Sequence, residues 1–110
     1  MSAVPGPLTE AMYYVLLALL REPAHGYALM ARIQEISRQR LTVGPGTLYG
    51  VLNQLQKSRL IVLDDDDGRR KTYRLTARGR AALRQEFTRL AAMIEDGSNL
   101  LQGGDAAWRE

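Results

Sequence analysis

Apolar residues recur at helical spacing in four stretches of the chain and alternate in a fifth. Met12, Val15, Leu16, Leu19 and Leu20 mark one face of a first helix, predicted over about 9–21. Thr9 suits its N-cap and Glu10 its first turn, while Pro23 ends it. Gly26 opens a second helix to about residue 39, with Leu29, Ile33 and Ile36 on one face and Tyr27 and Met30 flanking it. Leu41 to Val43 reads as an extended link or one short strand. Gly44-Pro45 then starts a third helix, since proline fits the first helical position where its missing N–H would be unpaired anyway. Leu48, Val51, Leu52 and Leu55 form the stripe of that helix, which runs to about Ser58.

Leu60 to Leu63 is a compact apolar run with β-branched Ile61 and Val62, hence a strand. Asp64 to Gly68 reads as a turn. Arg70 to Leu75 alternates, with Tyr73 and Leu75 on one face and Thr72 and Arg74 on the other. The two strands make a hairpin. Thr76 caps a long fourth helix to about Asp96, which Gly97-Ser98 breaks or frays. Along it Leu83, Phe87, Leu90 and Ile94 fall at steps of four, three and four, a seam of coiled-coil type.

This order predicts a mainly α fold, a winged helix-turn-helix with a two-stranded β wing and a long C-terminal helix, whose apolar seam is what a dimerisation helix would need. The expected divisions are a flexible arm at 1–8, a DNA-binding domain at 9–76, a dimerisation helix at 77–101 and a disordered tail at 102–110 that holds Trp108. In a helix-turn-helix the second helix of the motif enters the DNA major groove. The third helix fits that role. Opposite its apolar stripe stand Gly46, Gly50, Asn53, Gln54 and Lys57, flanked by Thr47 and Tyr49. The glycines let backbone approach the groove. Asn53 and Gln54 can bond adenine bidentately, and Lys57 can reach phosphate or guanine. Thr47 and Tyr49 can donate hydroxyls to phosphates.

Charge sharpens this picture. The net charge is only +3, yet residues 41–56 carry no charge at all, and between Gly68 and Arg89 there are eight basic groups against one acid. A neutral polar stretch beside a basic one suits a nucleic-acid-facing surface, and equally a solvated helix face. Arg69, Arg70 and Lys71 are the expected phosphate contacts of the wing. Tyr27 is open to two readings, core packing or a further phosphate contact. His25, just before Gly26, reads as a capping or packing residue.

Composition narrows the function classes. The chain has 110 residues, 45% hydrophobic and 25% charged, enough for one domain with its own core. With no cysteine and a single histidine, disulfide, thiolate-zinc and cysteine chemistry are excluded and a histidine metal cage is not expected. The run Asp64 to Asp67 lacks the spaced oxygens of a calcium loop. No nucleophile–base set or phosphate-cradling glycine loop is present, so neither an enzyme nor a cofactor is expected. The longest apolar run, Met12 to Leu20, is too short to span a bilayer, and Met1 to Pro7 lacks the basic region of a signal peptide. A cytoplasmic location is expected.

Three fragments resemble the PadR family of transcriptional regulators. Leu8-Thr9-Glu10-Ala11, Tyr14 to Leu20 and His25-Gly26-Tyr27 are similar to the family's opening. Gly46-Thr47-Leu48-Tyr49 with Leu52 and Leu55 resembles its recognition helix, and Gly68 to Gly79 its wing and the start of its dimer helix. The resemblance spans roughly residues 8–97. It implies a homodimeric DNA-binding repressor joined through the last helix and the first, a palindromic operator, and release by a small molecule. A single C-terminal helix resembles the smaller subfamily. The chain departs from the pattern at Arg59, where a glycine usually ends the recognition helix, and at Leu90, which stands where members that bind flat ligands carry an aromatic. A winged-helix module that contacts only other proteins is the alternative.

Overall fold

The computed structural model describes residues 6–103. The elements follow in the order α1 (Glu10–Ala18), β1 (Ala24–His25), α2 (Gly26–Ile36), α3 (Pro45–Lys57), β2 (Ile61–Asp66), β3 (Lys71–Leu75) and α4 (Ala77–Gly103). This is the expected mainly α winged helix-turn-helix. Val15 and Leu16 of α1, Leu29 and Ile33 of α2, and Leu48, Leu52 and Leu55 of α3 meet Leu60 and Ile61 in one core from which solvent is almost wholly excluded. No helix among the described residues is long and apolar enough to cross a membrane.

Several element ends differ from the reading of the sequence, each for a tertiary reason. Thr9 caps α1 as expected, its hydroxyl oxygen accepting from Met12 N at 3.1 Å. The helix stops at Ala18, however, well before Pro23. Arg32 of α2 donates to the Ala18 carbonyl oxygen at 2.8 Å, so an orphan carbonyl at this helix end finds a partner from another element, and also to the Glu22 carbonyl oxygen of the following loop at 3.2 Å. Helix α2 ends at Ile36 rather than near 39 because Arg38 and Gln39 turn left-handed, with φ of 56° and 67°. Buried Ser37 holds that turn, its hydroxyl oxygen accepting from Leu41 N at 3.0 Å. The segment 41–43 is a link, not a strand.

The hairpin is longer than expected and has a third strand. Asp64 to Asp66 continue β2 instead of turning, with a register shift between Leu63 and Asp65. Ala24 and His25 form β1, paired antiparallel with Tyr73 and Thr72, so the sheet order is β1-β3-β2. Gly97-Ser98 does not interrupt α4, which runs through both to Gly103. One interior glycine costs a helix only about 1 kcal/mol, too little to stop one of this length.

Two further expectations are corrected. Leu83 is not on an available seam: it is 5% exposed and belongs to the core of its own domain, because the first turns of α4 pack against the winged helix. Leu8 is no part of a loose arm; it is buried, and its amide lies 3.4 Å from Oε1 of Glu86 on α4. Arg89 also bonds Glu86, and these donors hold the Glu86 carboxyl below the usual carboxylate range. Gly6 and Pro7 of the expected arm are exposed and belong to no helix or strand, while residues 1–5 and the end of the expected tail (104–110, with Trp108) lie outside the described residues; Gln102 and Gly103 belong to α4.

The junction between α3, the sheet and α4 sets the direction of the last helix. Arg59 is left-handed at φ 62°, the conformation that glycine adopts most cheaply and that costs an L-residue about 1–2 kcal/mol. Its carbonyl oxygen accepts from the Thr76 hydroxyl at 2.8 Å, while the Thr76 oxygen accepts from Gly79 N at 2.9 Å. Arg78 Nε donates to the Ser58 carbonyl at 3.1 Å. The start of α4 is thus tied at several points to the end of α3.

Candidate nucleic-acid interface

Helix α3 divides as its periodicity predicts. Leu48, Val51, Leu52 and Leu55 are buried, and Gly46, Thr47, Tyr49, Gly50, Asn53, Gln54 and Lys57 are exposed. At 100° per residue, Gly46, Gly50, Asn53 and Lys57 fall within one narrow stripe, with Thr47 and Gln54 beside it. A Cβ built on Gly46 or Gly50 would meet nothing within 4 Å, so backbone is open to an approaching surface at both positions. Pro45 occupies the first turn and Gly44 the N-cap, with no side chain closing that helix end.

The second half of the interface is an open cleft of about 820 Å³ between the start of α2, the flank of α3 and the wing. His25, Gly26 and Tyr27 line one side, Tyr49 the floor, and residues 66–71 with Tyr73 the other. His25 caps α2, its Nδ1 accepting from Ala28 N at 3.4 Å. Tyr27, whose sequence context allows either core packing or surface contact, is 79% exposed, so it is no core residue. Tyr49 lies against Gly26, where an added Cβ would collide with its hydroxyl. The buried phenol of Tyr73 is pushed above its ordinary range by desolvation and by its neighbours Tyr49 and Asp66.

The structure therefore brings Tyr27, Tyr49, Arg69, Arg70 and Lys71 to one cleft. Gly46, Thr47, Gly50, Asn53, Gln54 and Lys57 do not line it; they stay on the exposed side of α3. Asp66, Asp67 and Gly68 join the cleft, which the sequence does not reveal. The Asp-Asp-Gly sequence is a turn signal, but nothing local says that the turn borders a site. Among the described residues, no group of three or more His, Cys, Asp or Glu could hold a metal ion.

On α4 the seam residues separate. Phe87 and Ile94 are 61% and 72% exposed, Leu90 is half-buried beside Tyr13 and Tyr14, and Leu83 is in the core. Leu100 and Leu101 extend the exposed apolar surface toward the end of the helix.

Known proteins are similar in sequence and in fold. The pattern of the "Transcriptional regulator PadR-like family" matches residues 15–85, from α1 into α4. "Transcriptional regulator YqjI" of Escherichia coli is 32% identical over 87 residues, which are 79% of this chain and 42% of that protein. "Transcriptional regulator Rv3488" of Mycobacterium tuberculosis is 46% identical over 66 residues, 57% of this chain and 62% of that protein. The chain thus spans less than two thirds of the length of these curated relatives. Among solved structures, a PadR-like transcription factor from Bacteroides fragilis superposes with a TM-score of 0.68 at 27% identity, covering 81% of this chain and 87% of that one. Family pattern, relatives and fold agree that this chain belongs to the PadR-like family of transcriptional regulators.

Proposed function

We propose that the protein is a cytoplasmic, homodimeric DNA-binding repressor that reads a palindromic operator and is released by a small molecule. The observation that carries DNA binding is the exposed face of α3, free of charge up to Lys57, beside a cleft whose far wall carries Arg69, Arg70 and Lys71. Asn53 and Gln54 are the side chains on that face suited to reading base edges, and the wing triad suits phosphates. Dimerisation is supported by the exposed apolar side chains of α4. Release by a small molecule is the family's usual mode of control and rests on that kinship.

Selecting sequences from a random DNA pool tests the reading: a palindromic consensus is expected. Recovery of no DNA above background would favour the protein-contacting alternative. Replacing Arg69, Arg70 and Lys71 together with Ala is expected to weaken binding to all duplexes alike. It should also flatten the dependence of log K on log salt by about 0.9 for each phosphate no longer neutralised. An unchanged slope would remove the wing from the interface. Asn53→Ala is expected to cost roughly 1–3 kcal/mol on the selected operator and to relax one base position. Equal losses on selected and random DNA would show that Asn53 reads no base.

A further inference from the structure

The run Asp64 to Asp67 stands where a DNA-binding wing should least tolerate it, because carboxylates near phosphates repel. The structure gives three of the four specific partners. Asp64 Oδ1 lies 3.1 Å from Arg74 Nε on the adjacent strand. Asp66 Oδ1 accepts from Gly68 N at 3.0 Å. Asp67 does most: its Oδ1 accepts from Arg69 N at 3.1 Å and from Arg70 N at 2.9 Å, while its own amide lies 3.4 Å from the Arg70 carbonyl oxygen. Asp65, by contrast, pairs through its backbone register with Thr72 and has an exposed side chain.

The two amides that Asp67 binds belong to residues that carry basic side chains. The turn around them is short and includes Gly68 at φ 89°, so few backbone bonds hold its shape. We propose that Asp67 is a positioning residue for DNA binding: its carboxylate, by accepting the Arg69 and Arg70 amides, holds the wing tip in the conformation that presents Arg69, Arg70 and Lys71 together to the phosphates. This rests on the DNA-binding reading above. The same two amides keep the Asp67 carboxyl below its ordinary range, so the acceptor is a full carboxylate at neutral pH. A hydrogen bond to a charged group is worth more than one between neutral partners. The negative charge is thus tolerated at the DNA surface because it orders the positive ones.

Charge and positioning predict opposite signs, which makes the proposal testable. Three variants are compared on the selected operator and on a random duplex: Asp65→Ala, Asp67→Ala and Asp67→Asn. Removing a carboxylate for its charge alone should tighten binding roughly twofold at about 0.1 M salt. Asp65→Ala is expected to do so. Asp67→Ala is expected instead to weaken binding about fivefold on both duplexes, because leaving two amides without their acceptor outweighs the relief of repulsion. Asp67→Asn keeps an acceptor oxygen but gives up the stronger charge-assisted bonds, so its affinity should fall between those of Asp67→Ala and the natural protein. Without DNA, the backbone order parameters of Arg69 and Arg70 should fall from about 0.85 toward about 0.6 in Asp67→Ala and stay unchanged in Asp65→Ala. If Asp67→Ala tightens binding along with Asp65→Ala, or leaves the two amides as rigid as before, the proposal is overturned while DNA binding stands. If the natural protein binds no duplex, the DNA-binding reading itself fails, and the proposal with it.

Discussion

Replacing Ile94 with Asp is expected to yield a monomer that no longer binds a palindromic operator. The residue lies on α4 beyond the last turns that pack on the winged helix, and residues 91–96 are all exposed. Phe87, Leu90, Ile94, Gly97 and Leu101 recur at steps of three and four along the helix, so the apolar line continues past the glycine expected to end it. At Gly97 a Cβ would meet nothing within 4 Å, leaving room there for a second helix to come close. Burying a large apolar side chain is worth about 1.5–3 kcal/mol, and an unpaired charge in such an interface costs several kcal/mol. Ile94 is the better probe than Leu90, whose side chain is half-buried beside Tyr13 and Tyr14 of its own chain, so that a charge there would also disturb the domain. Two recognition helices must be held about 34 Å apart to read successive turns of one DNA face. A monomer should therefore lose operator affinity by two orders of magnitude or more while keeping its helical circular dichroism. Sedimentation showing an intact dimer for Ile94→Asp would refute this placement of the interface.

Gly79→Ala is expected to destabilise the whole domain by about 3 kcal/mol, the upper end of overpacking penalties. An added Cβ would overlap the Leu60 carbonyl oxygen and lie 2.9 Å from both the Leu60 carbonyl carbon and Leu75 Cδ1. The oxygen cannot retreat, because it accepts from Thr76 N at 3.1 Å. At about 4–8 °C per kcal/mol for a domain of this size, Tm should fall by roughly 12–24 °C. Gly50→Ala makes the contrast. Its Cβ would enter open space, so stability should rise by about 0.5–1 kcal/mol while operator binding weakens, since the new methyl group stands on the exposed stripe of α3. Thermal unfolding of the two variants beside the natural protein decides the matter. Equal stability of Gly79→Ala and the natural protein would mean that the start of α4 does not lie this close to the backbone of Leu60, just before β2.

The hydrophobic pattern by itself determined the order of the major elements, the division of α3 into a buried stripe and an exposed polar face, and the hairpin with its basic tip. These are local properties: periodicity states which side of a helix must leave water, and an Asp-Gly pair states where a chain reverses. The pattern could not state what each apolar face would meet. Leu83 and Ile94 occupy equivalent places in one seam, yet the first is in the core and the second in solvent, because the winged helix covers only the first turns of α4. The ends of α1 and α2 depended on Arg32 reaching back to Ala18 and on a left-handed turn held by Ser37, and β1 is two residues long, too short for any period. The cleft, likewise, required Tyr27, Tyr49 and the wing to meet although they lie far apart in sequence. Tertiary structure decided these points because each turns on a partner distant along the chain, whose position no local pattern encodes.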